Sequence, residues 1–270
     1  MIIMSMFINI AISSNDQDFG SSSMCIGNST NGNNVYRNYH MSVSSLLSNF
    51  TLEPVPPVPR FYSTYTGPPR DRAYGSYICW GDISSQLCKK CVSHVTESLS
   101  NQDFYQECYA IGYYLESGLC LVQYSNKSVN TYINGFVFSM GNIGGKVADY
   151  LPYNKTLSKT IEGLIKEATI GNWTRTNLAT RVVPVTGTRD EIHILVQCIP
   201  VISSKNCSRC LRELYDYVPS HCNGTQGGVV VHANCVLKFS NQTFIGGVHG
   251  SLTPSYLHCF LVMLFVLCTL

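Results

Sequence analysis

Charged residues are scarce in this sequence. Lys, Arg, Asp and Glu make up 13% of its 270 residues, against roughly 25% in an average soluble protein. The formal net charge is only +2, so the chain lacks the dense basic surface with which proteins bind nucleic acids. Asn, Ser, Thr and Tyr must therefore supply most of the polar surface.

Recognisable catalytic motifs are also missing. The carboxylates are scattered, without the close pair that glycosidases use, and the seven histidines show no metal-ligand spacing. The segment Gly141–Lys146 resembles part of a phosphate-binding loop, but it is one residue short and Val147 stands where Ser or Thr would bind magnesium. We interpret this segment as a turn between domains. We expect no enzyme activity, no cofactor and no metal.

What the chain has in abundance is cysteine, in a repeated pattern. A C-x8-C-x2-C cluster recurs after 119 residues at all three positions. The first cluster is Cys79, Cys88 and Cys91, followed by Cys108 and Cys120, and the second is Cys198, Cys207 and Cys210, followed by Cys222 and Cys235. Such a repeat predicts two similar domains in tandem, for which we expect residues 19–128 and 134–246.

Cysteines kept in register at this density are typical of disulfide-bonded proteins from oxidising compartments. The Cys-x2-Cys pairs could instead be halves of a zinc site, but the third cysteine, nine residues upstream in both copies, argues against zinc. Cys222, beside His221, is the one nucleophile candidate within the domains. We interpret it as a cysteine left over after loss of its counterpart, with an intermolecular bridge as the alternative.

Eight N-x-S/T sequons support a secretory origin, because N-glycans supply solubility that charges would otherwise provide. Asn206 adjoins Cys207, and we expect it to carry no glycan. The other candidates are Asn28, Asn49, Asn126, Asn154, Asn172, Asn223 and Asn241.

The two ends of the chain are apolar. Residues 1–14 have the apolar run of a signal peptide, but no Lys or Arg precedes it, so we expect an atypical signal. Residues 247–270 end in an apolar stretch from Tyr256 to Leu270, which as a helix covers about 22 Å, short of the ~30 Å hydrocarbon core. We expect a GPI-attachment signal cleaved near Gly246, Gly247 or Gly250, with a truncated membrane span as the alternative. We leave Cys259 and Cys268 out of the disulfide framework.

The periodicity of the domains predicts an α+β fold with helices packed on an antiparallel sheet. A helix is expected around each cysteine cluster, preceded by N-cap candidates at Asp82, Ser84–Ser85 and Ser203–Ser204. Further helices are predicted at roughly 40–50 and 156–169. Strands are expected at 109–124, 131–138, 191–198 and 229–239.

Longer stretches around the cysteines resemble a known family. FYSTYTGPPRDRAYGSYICWGDISSQLCKKC, from Phe61 to Cys91, and HILVQCIPVISSKNCSRCL, from His193 to Leu211, are similar to the plant stress-antifungal domain, also called the ginkbilobin-homologous domain. The resemblance covers roughly residues 20–245. Tandem copies without a kinase resemble the cysteine-rich repeat secretory proteins or the ectodomains of cysteine-rich receptor-like kinases. It implies two helices on a five-stranded antiparallel sheet in each domain.

The resemblance also implies a disulfide scheme, which spacing alone leaves open because six cysteines allow fifteen pairings. The implied pairs are Cys25–Cys108, Cys79–Cys88, Cys91–Cys120, Cys198–Cys207 and Cys210–Cys235, and the scheme leaves Cys222 over.

The resemblance also implies where a mannose site would lie, because the antifungal relative builds such a site from three polar residues. In the first domain of this chain the corresponding positions hold Ile26, a residue at or near Tyr114, and Ser125. In the second domain two of the three positions fall near Val229 and Ser240. The charged groups that would bind sugar hydroxyls are therefore absent.

We expect a secreted or lipid-anchored recognition module in stress or defence signalling, which binds an extracellular protein or carbohydrate. The alternatives are an antifungal mannose-type lectin, a membrane-tethered cell–cell channel protein and a truncated receptor-kinase ectodomain.

Overall fold

The chain divides into two compact units between Ile133 and Asn134. The computed structural model describes residues 21–26, 37–52, 60–101, 111–116, 118–128, 137–170 and 177–243. Within these ranges each unit is a five-stranded antiparallel sheet with two helices, which confirms the predicted α+β class.

The first unit contains two long helices, α1 (Arg37–Leu52) and α2 (Ser85–Asn101). Its sheet has the order β1-β4-β5-β3-β2. The strands are β1 (Ser21–Ile26), β2 (Phe61–Thr66), β3 (Ala73–Cys79), β4 (Ile111–Glu116) and β5 (Cys120–Ser125).

The second unit repeats this topology with helices α3 (Tyr150–Ile170) and α4 (Ser204–His221). The corresponding sheet order is β6-β9-β10-β8-β7. The strands are β6 (Val137–Lys146), β7 (Leu178–Pro184), β8 (Glu191–Cys198), β9 (Thr225–His232) and β10 (Cys235–Ser240).

Helix-period apolar residues explain how each helix docks on its sheet. On α1, Val43, Leu46, Leu47 and Phe50 are buried, with the 3–4-residue spacing of one helix face. They belong to one cluster with apolar side chains of α2 and the sheet. Complete burial of one such side chain contributes about 1.5–3 kcal/mol.

Two strand predictions were wrong because each spans a hairpin. Residues 109–124 contain β4 and β5, and residues 229–239 contain the end of β9, a turn and most of β10. The interpretation of Gly141–Lys146 as a turn between domains was also wrong, since this segment is the second half of β6. It pairs with β9 through two register shifts, and such irregularities accommodate a glycine-rich strand.

Three predicted segments lie outside the described residues: the signal candidate at 1–14, the C-terminal tail at 247–270 and most of the strand at 131–138. Among the helices that the structure does describe, none combines the length and hydropathy needed to cross a bilayer.

Candidate recognition surface and sulfur sites

Two disulfides join the second helix of each unit to its sheet. In the first unit, Cys79 at the end of β3 bonds Cys88 on α2, and Cys91, one turn later, bonds Cys120 at the start of β5. The second unit has Cys198–Cys207 and Cys210–Cys235 in the same arrangement. These are four of the five pairs in the predicted scheme. The fifth pair falls outside the description, because Cys108 and the side chain of Cys25 are not among the described atoms.

A serine directly before each of these helices caps its first turn. Ser84 Oγ accepts a hydrogen bond from the Leu87 N–H at 3.2 Å, and Ser203 Oγ accepts one from the Asn206 N–H at 3.3 Å. These bonds satisfy a backbone donor that has no partner within the helix. The first cysteine of each helix follows within one turn and therefore lies close to the end of the central strand.

A buried histidine lies beside one disulfide of the second unit. His232 Nδ1 is 3.4 Å from Cys210 Sγ, and the potential ligand atoms of Cys210, His232 and Cys235 lie within 4.8 Å of one another. Both sulfurs are already joined in a disulfide, whereas zinc binds thiolates. The oxidised cluster is therefore a covalent crosslink, and the chemistry of its donors does not suit a metal.

The surroundings of His232 keep its ring neutral. Nδ1 accepts the Asn234 backbone N–H at 3.1 Å. Burial lowers the pKa of His232 to about 4, while Glu213 raises it and Arg209 lowers it to smaller extents. Sequence spacing did not identify His232, because its contact with Cys210 of α4 depends on the turn between β9 and β10.

Cys222 follows α4 and is buried, with 3% of its surface exposed. It forms no disulfide with another described residue. A Cβ placed on Gly228 of β9 would lie 2.7 Å from its Sγ, so the sulfur packs directly on the sheet. A thiol in this position is closed to a substrate, and the predicted alternative of an intermolecular bridge does not fit its burial.

The positions implied for the mannose site only partly come together. Ile26 pairs with Ile111 of β4, which in turn pairs with Ser125 of β5, so Ile26 and Ser125 share one row across the sheet. Tyr114 lies three residues further along β4. Ser125 is buried, and its Oγ accepts the Lys127 N–H. In the second unit, Val229 and Ser240 are likewise buried.

The hairpin between β2 and β3 presents an exposed aromatic and cationic group. Tyr65 is 56% exposed, the guanidinium of Arg72 lies 4.5 Å from the centre of its ring, and the Tyr74 ring is 5.8 Å away. The turn residues 67–70, including Arg70, are exposed. We call Tyr65, Arg70, Arg72 and Tyr74 the hairpin cluster. Tyrosine and arginine are the residue types enriched at binding hot spots.

The equivalent edge of the second unit differs in chemistry. There Arg181 on β7 forms an ion pair with Glu167 on α3 at 2.7 Å, and Val182 is the exposed apolar residue. The cysteine framework is therefore duplicated, but the hairpin cluster is not.

The sequons occupy two kinds of position. Asn49, Asn154 and Asn206 lie within helices, whereas Asn126, Asn223 and Asn241 lie in turns, where Asn223 is exposed. Asn28 and Asn172 lie outside the described residues.

Comparison with known proteins finds relatives among cysteine-rich receptor-like kinases and cysteine-rich repeat secretory proteins. The chain is 29% identical over 177 residues to cysteine-rich receptor-like protein kinase 25 of Arabidopsis thaliana, covering 64% of this chain and 25% of that protein. It is 26% identical over 241 residues to cysteine-rich repeat secretory protein 59 of the same species, covering 87% and 79%. The chain spans only about a quarter to a third of the first two curated relatives it matches.

Two solved structures share the fold. One is the tandem DUF26 ectodomain of the Arabidopsis cysteine-rich receptor-like protein PDLP5, with a TM-score of 0.54 and 24% identity over 83% of this chain and 98% of that one. The other is the corresponding ectodomain of PDLP8, with a TM-score of 0.60 and 16% identity over 82% and 97%.

A family profile settles the relationship. The Salt stress response/antifungal family matches residues 24–127 and again residues 142–242, which together make up more than half of the chain. The chain therefore belongs to the Salt stress response/antifungal family and carries two tandem copies of its domain.

Proposed function

We propose that this chain is a non-enzymatic extracellular recognition module acting in stress or defence signalling. The observation that carries the proposal is the hairpin cluster, an exposed aromatic and cationic group on a unit whose helix and sheet are joined by two disulfides. A rigid scaffold with an exposed loop is the usual way in which binding residues are presented. Family relatives are named as secretory proteins and receptor-like kinases, which supports an extracellular setting.

The chemistry of the cluster indicates the class of partner. Tyrosine rings offer flat surfaces that pack against sugar rings or aromatic side chains. Arginine supplies several N–H donors in a fixed geometry, which suits carboxylates. We therefore propose an extracellular protein or a carbohydrate with acidic groups as the ligand.

The test uses the purified, disulfide-intact chain on a glycan array and as bait in an extracellular extract. We expect Arg70→Ala combined with Arg72→Ala to abolish binding. Arg189→Ala, in the turn between β7 and β8, is the matched control and should bind as the unaltered chain does. Loss of binding in the control alone, or no ligand together with measurable hydrolase activity, would overturn the proposal.

The second candidate function is direct antifungal activity as a mannose-type lectin, which the family description favours. It would have to act without the polar residues implied for the mannose site, since Ile26 and Ser125 occupy the shared row. Binding to mannan and inhibition of fungal growth by the purified protein test it directly. Growth inhibition that survives the two arginine substitutions would favour this candidate over the first.

Attachment to the membrane is a separate question of location. We propose a GPI anchor at the C-terminal tail, with a spanning segment, as in a cell–cell channel protein or receptor ectodomain, as the competing arrangement. Phospholipase C treatment of membranes from expressing cells distinguishes them. Release into the supernatant supports the GPI anchor, and retention supports a spanning segment.

A further inference from the structure

Strand β2 forms one edge of the first sheet. It pairs with β3 on one side, and no described strand pairs with it on the other. Edge strands expose N–H and C=O groups that can pair with another chain, and proteins usually protect them with charges or prolines. The segment Phe61–Thr66 contains neither.

The ladder shows which residues face the open side. The Cys79 N–H donates to the Arg60 carbonyl at 2.7 Å, so Arg60 and every second residue after it form hydrogen bonds with β3. Phe61, Ser63 and Tyr65 therefore direct their backbone N–H and C=O groups away from β3. These three residues are the ones available for a new strand.

This outward set is complementary to itself. An antiparallel ladder places outward-facing residues opposite one another. With Ser63 opposite Ser63 of a second copy, Phe61 lies opposite Tyr65 in both directions. Gly67 follows Thr66 and has a φ of +84°, a left-handed conformation that ends the extended strand, so the outward-facing set runs from Phe61 to Tyr65.

The side chains fit this register. Tyr62 and Thr66 point toward the helices, since Tyr62 contacts Phe50 with ring centres 6.2 Å apart and the Thr66 hydroxyl donates to the Ser42 carbonyl. Phe61, Ser63 and Tyr65 lie on the other face, where Phe61 is half-buried and Tyr65 is exposed. Pairing would therefore bring an aromatic ring opposite an aromatic ring at two positions, a favourable cross-strand contact.

Strand β7 provides an internal comparison. The Cys198 N–H donates to the Asn177 carbonyl, as Cys79 does to Arg60, so Thr180 corresponds to Ser63. Beside Thr180, β7 carries the ion-paired Arg181, and the strand ends in Pro184. A charge beside the centre disfavours pairing of two β7 edges.

We propose that two copies of this chain form a homodimer through antiparallel pairing of their β2 strands about Ser63. The hairpin turn at residues 67–70, which includes Arg70, lies beyond the end of the ladder, whereas Tyr65 of the hairpin cluster lies within it. Ser63 does not belong to the cluster, so its substitution tests the dimer separately from ligand binding by Arg70 and Arg72.

Analytical ultracentrifugation of the purified chain provides the first test. We expect a concentration-dependent dimer, and we expect Ser63→Lys to raise its dissociation constant at least about tenfold because two like charges would face each other at the centre. Thr180→Lys on β7 is the matched control and should leave dimerisation unchanged. Circular dichroism must show both variants folded. A wild-type chain that stays monomeric at its highest soluble concentration, or a dimer weakened equally by both substitutions, would refute the proposal.

Crosslinking provides the second test. Opposite residues in a hydrogen-bonded antiparallel pair have Cα atoms about 5.5 Å apart, within the range of a disulfide. Ser63→Cys should therefore give a reductant-sensitive covalent dimer, whereas Thr180→Cys should not. Equal crosslinking of both variants would indicate random collision and contradict the register. If the chain stays monomeric and its β2 binds a foreign peptide, the homodimer is refuted and a strand of another protein occupies this edge.

Discussion

Cys79 and Cys120 lie opposite each other in the ladder of β3 and β5, yet they are not bonded to each other. Cys79 is bonded to Cys88 and Cys120 to Cys91, both on α2. Cys198 and Cys235 repeat this relationship in the second unit. Two neighbouring strands thus hold successive turns of one helix, and the helix cannot leave the sheet without breaking both bonds.

Removing the long-range disulfide should destabilise the first unit more than removing the short one. Chain-entropy arguments give about 3.6 kcal/mol for Cys91–Cys120 and about 1 kcal/mol less for Cys79–Cys88, because the sequence separations are 29 and 9 residues. Paired alanine substitutions compared by urea unfolding without reductant measure this difference. A larger loss for the short disulfide would show that packing rather than chain entropy dominates.

The second unit should lose stability in mild acid because of His232. Its folded pKa of about 4 lies below the ordinary 6.5, so the unfolded chain binds a proton in a range where the folded chain does not. The free energy of unfolding should therefore be highest above pH 6.5 and fall by about 3 kcal/mol as the pH drops toward 4. Urea unfolding across this range tests it. His232→Gln should flatten the slope.

Gly228→Ala should destabilise the second unit by about 1–3 kcal/mol through overpacking. The new methyl group would lie 2.7 Å from Cys222 Sγ and 2.9 Å from Phe239 Cε1. Adding Cys222→Ala should recover part of the loss, and thermal unfolding of the single and double variants shows how much. Gly145→Ala, where a Cβ meets nothing within 4 Å, is the control.

The thiol of Cys222 should react with Ellman's reagent only after unfolding, since it is buried. A native chain that reacts at the rate of a free thiol would contradict this placement. Cys222→Ala, which retains the four described disulfides, identifies the signal.

The sequon at Asn223 should carry an N-glycan when the chain passes through a plant secretory pathway. Asn223 is exposed in the turn after α4, and its backbone carbonyl rather than its side chain accepts the bond from Lys146 Nζ. Enzymatic deglycosylation in heavy-oxygen water followed by peptide mass spectrometry locates the site. Asn206 within α4 should remain unlabelled, and an unlabelled Asn223 would contradict the expectation.

The fold class and the family could be predicted because the cysteine spacing and the helix periodicity are both local and repeated. Strand β8 was predicted with its observed bounds, Glu191–Cys198. Helix α3 begins six residues before its predicted start, with Pro152 in its first turn, where the lack of an N–H does no harm.

The errors have side-chain causes that a single sequence hides. The turn between β9 and β10 consists of Ala233 and Asn234 and contains neither Gly nor Pro. The Nδ1 atom of His232 accepts a hydrogen bond from the Asn234 N–H, which in many turns is accepted by a backbone carbonyl. The hairpin cluster was not predicted either, because Tyr65, Arg72 and Tyr74 meet only when β2 and β3 pair.

The placement of Cys79 opposite Cys120 has a consequence for oxidative maturation. Their Cα atoms should be roughly 4.5–5.5 Å apart as soon as β3 and β5 pair, so a premature bridge between them could form before α2 docks. In that isomer Cys88 and Cys91, which lie one turn apart on α2, could bond only to each other, and no disulfide would join the helix to the sheet. A catalyst of disulfide isomerisation would then determine the yield of mature protein, and it would have to act on both units.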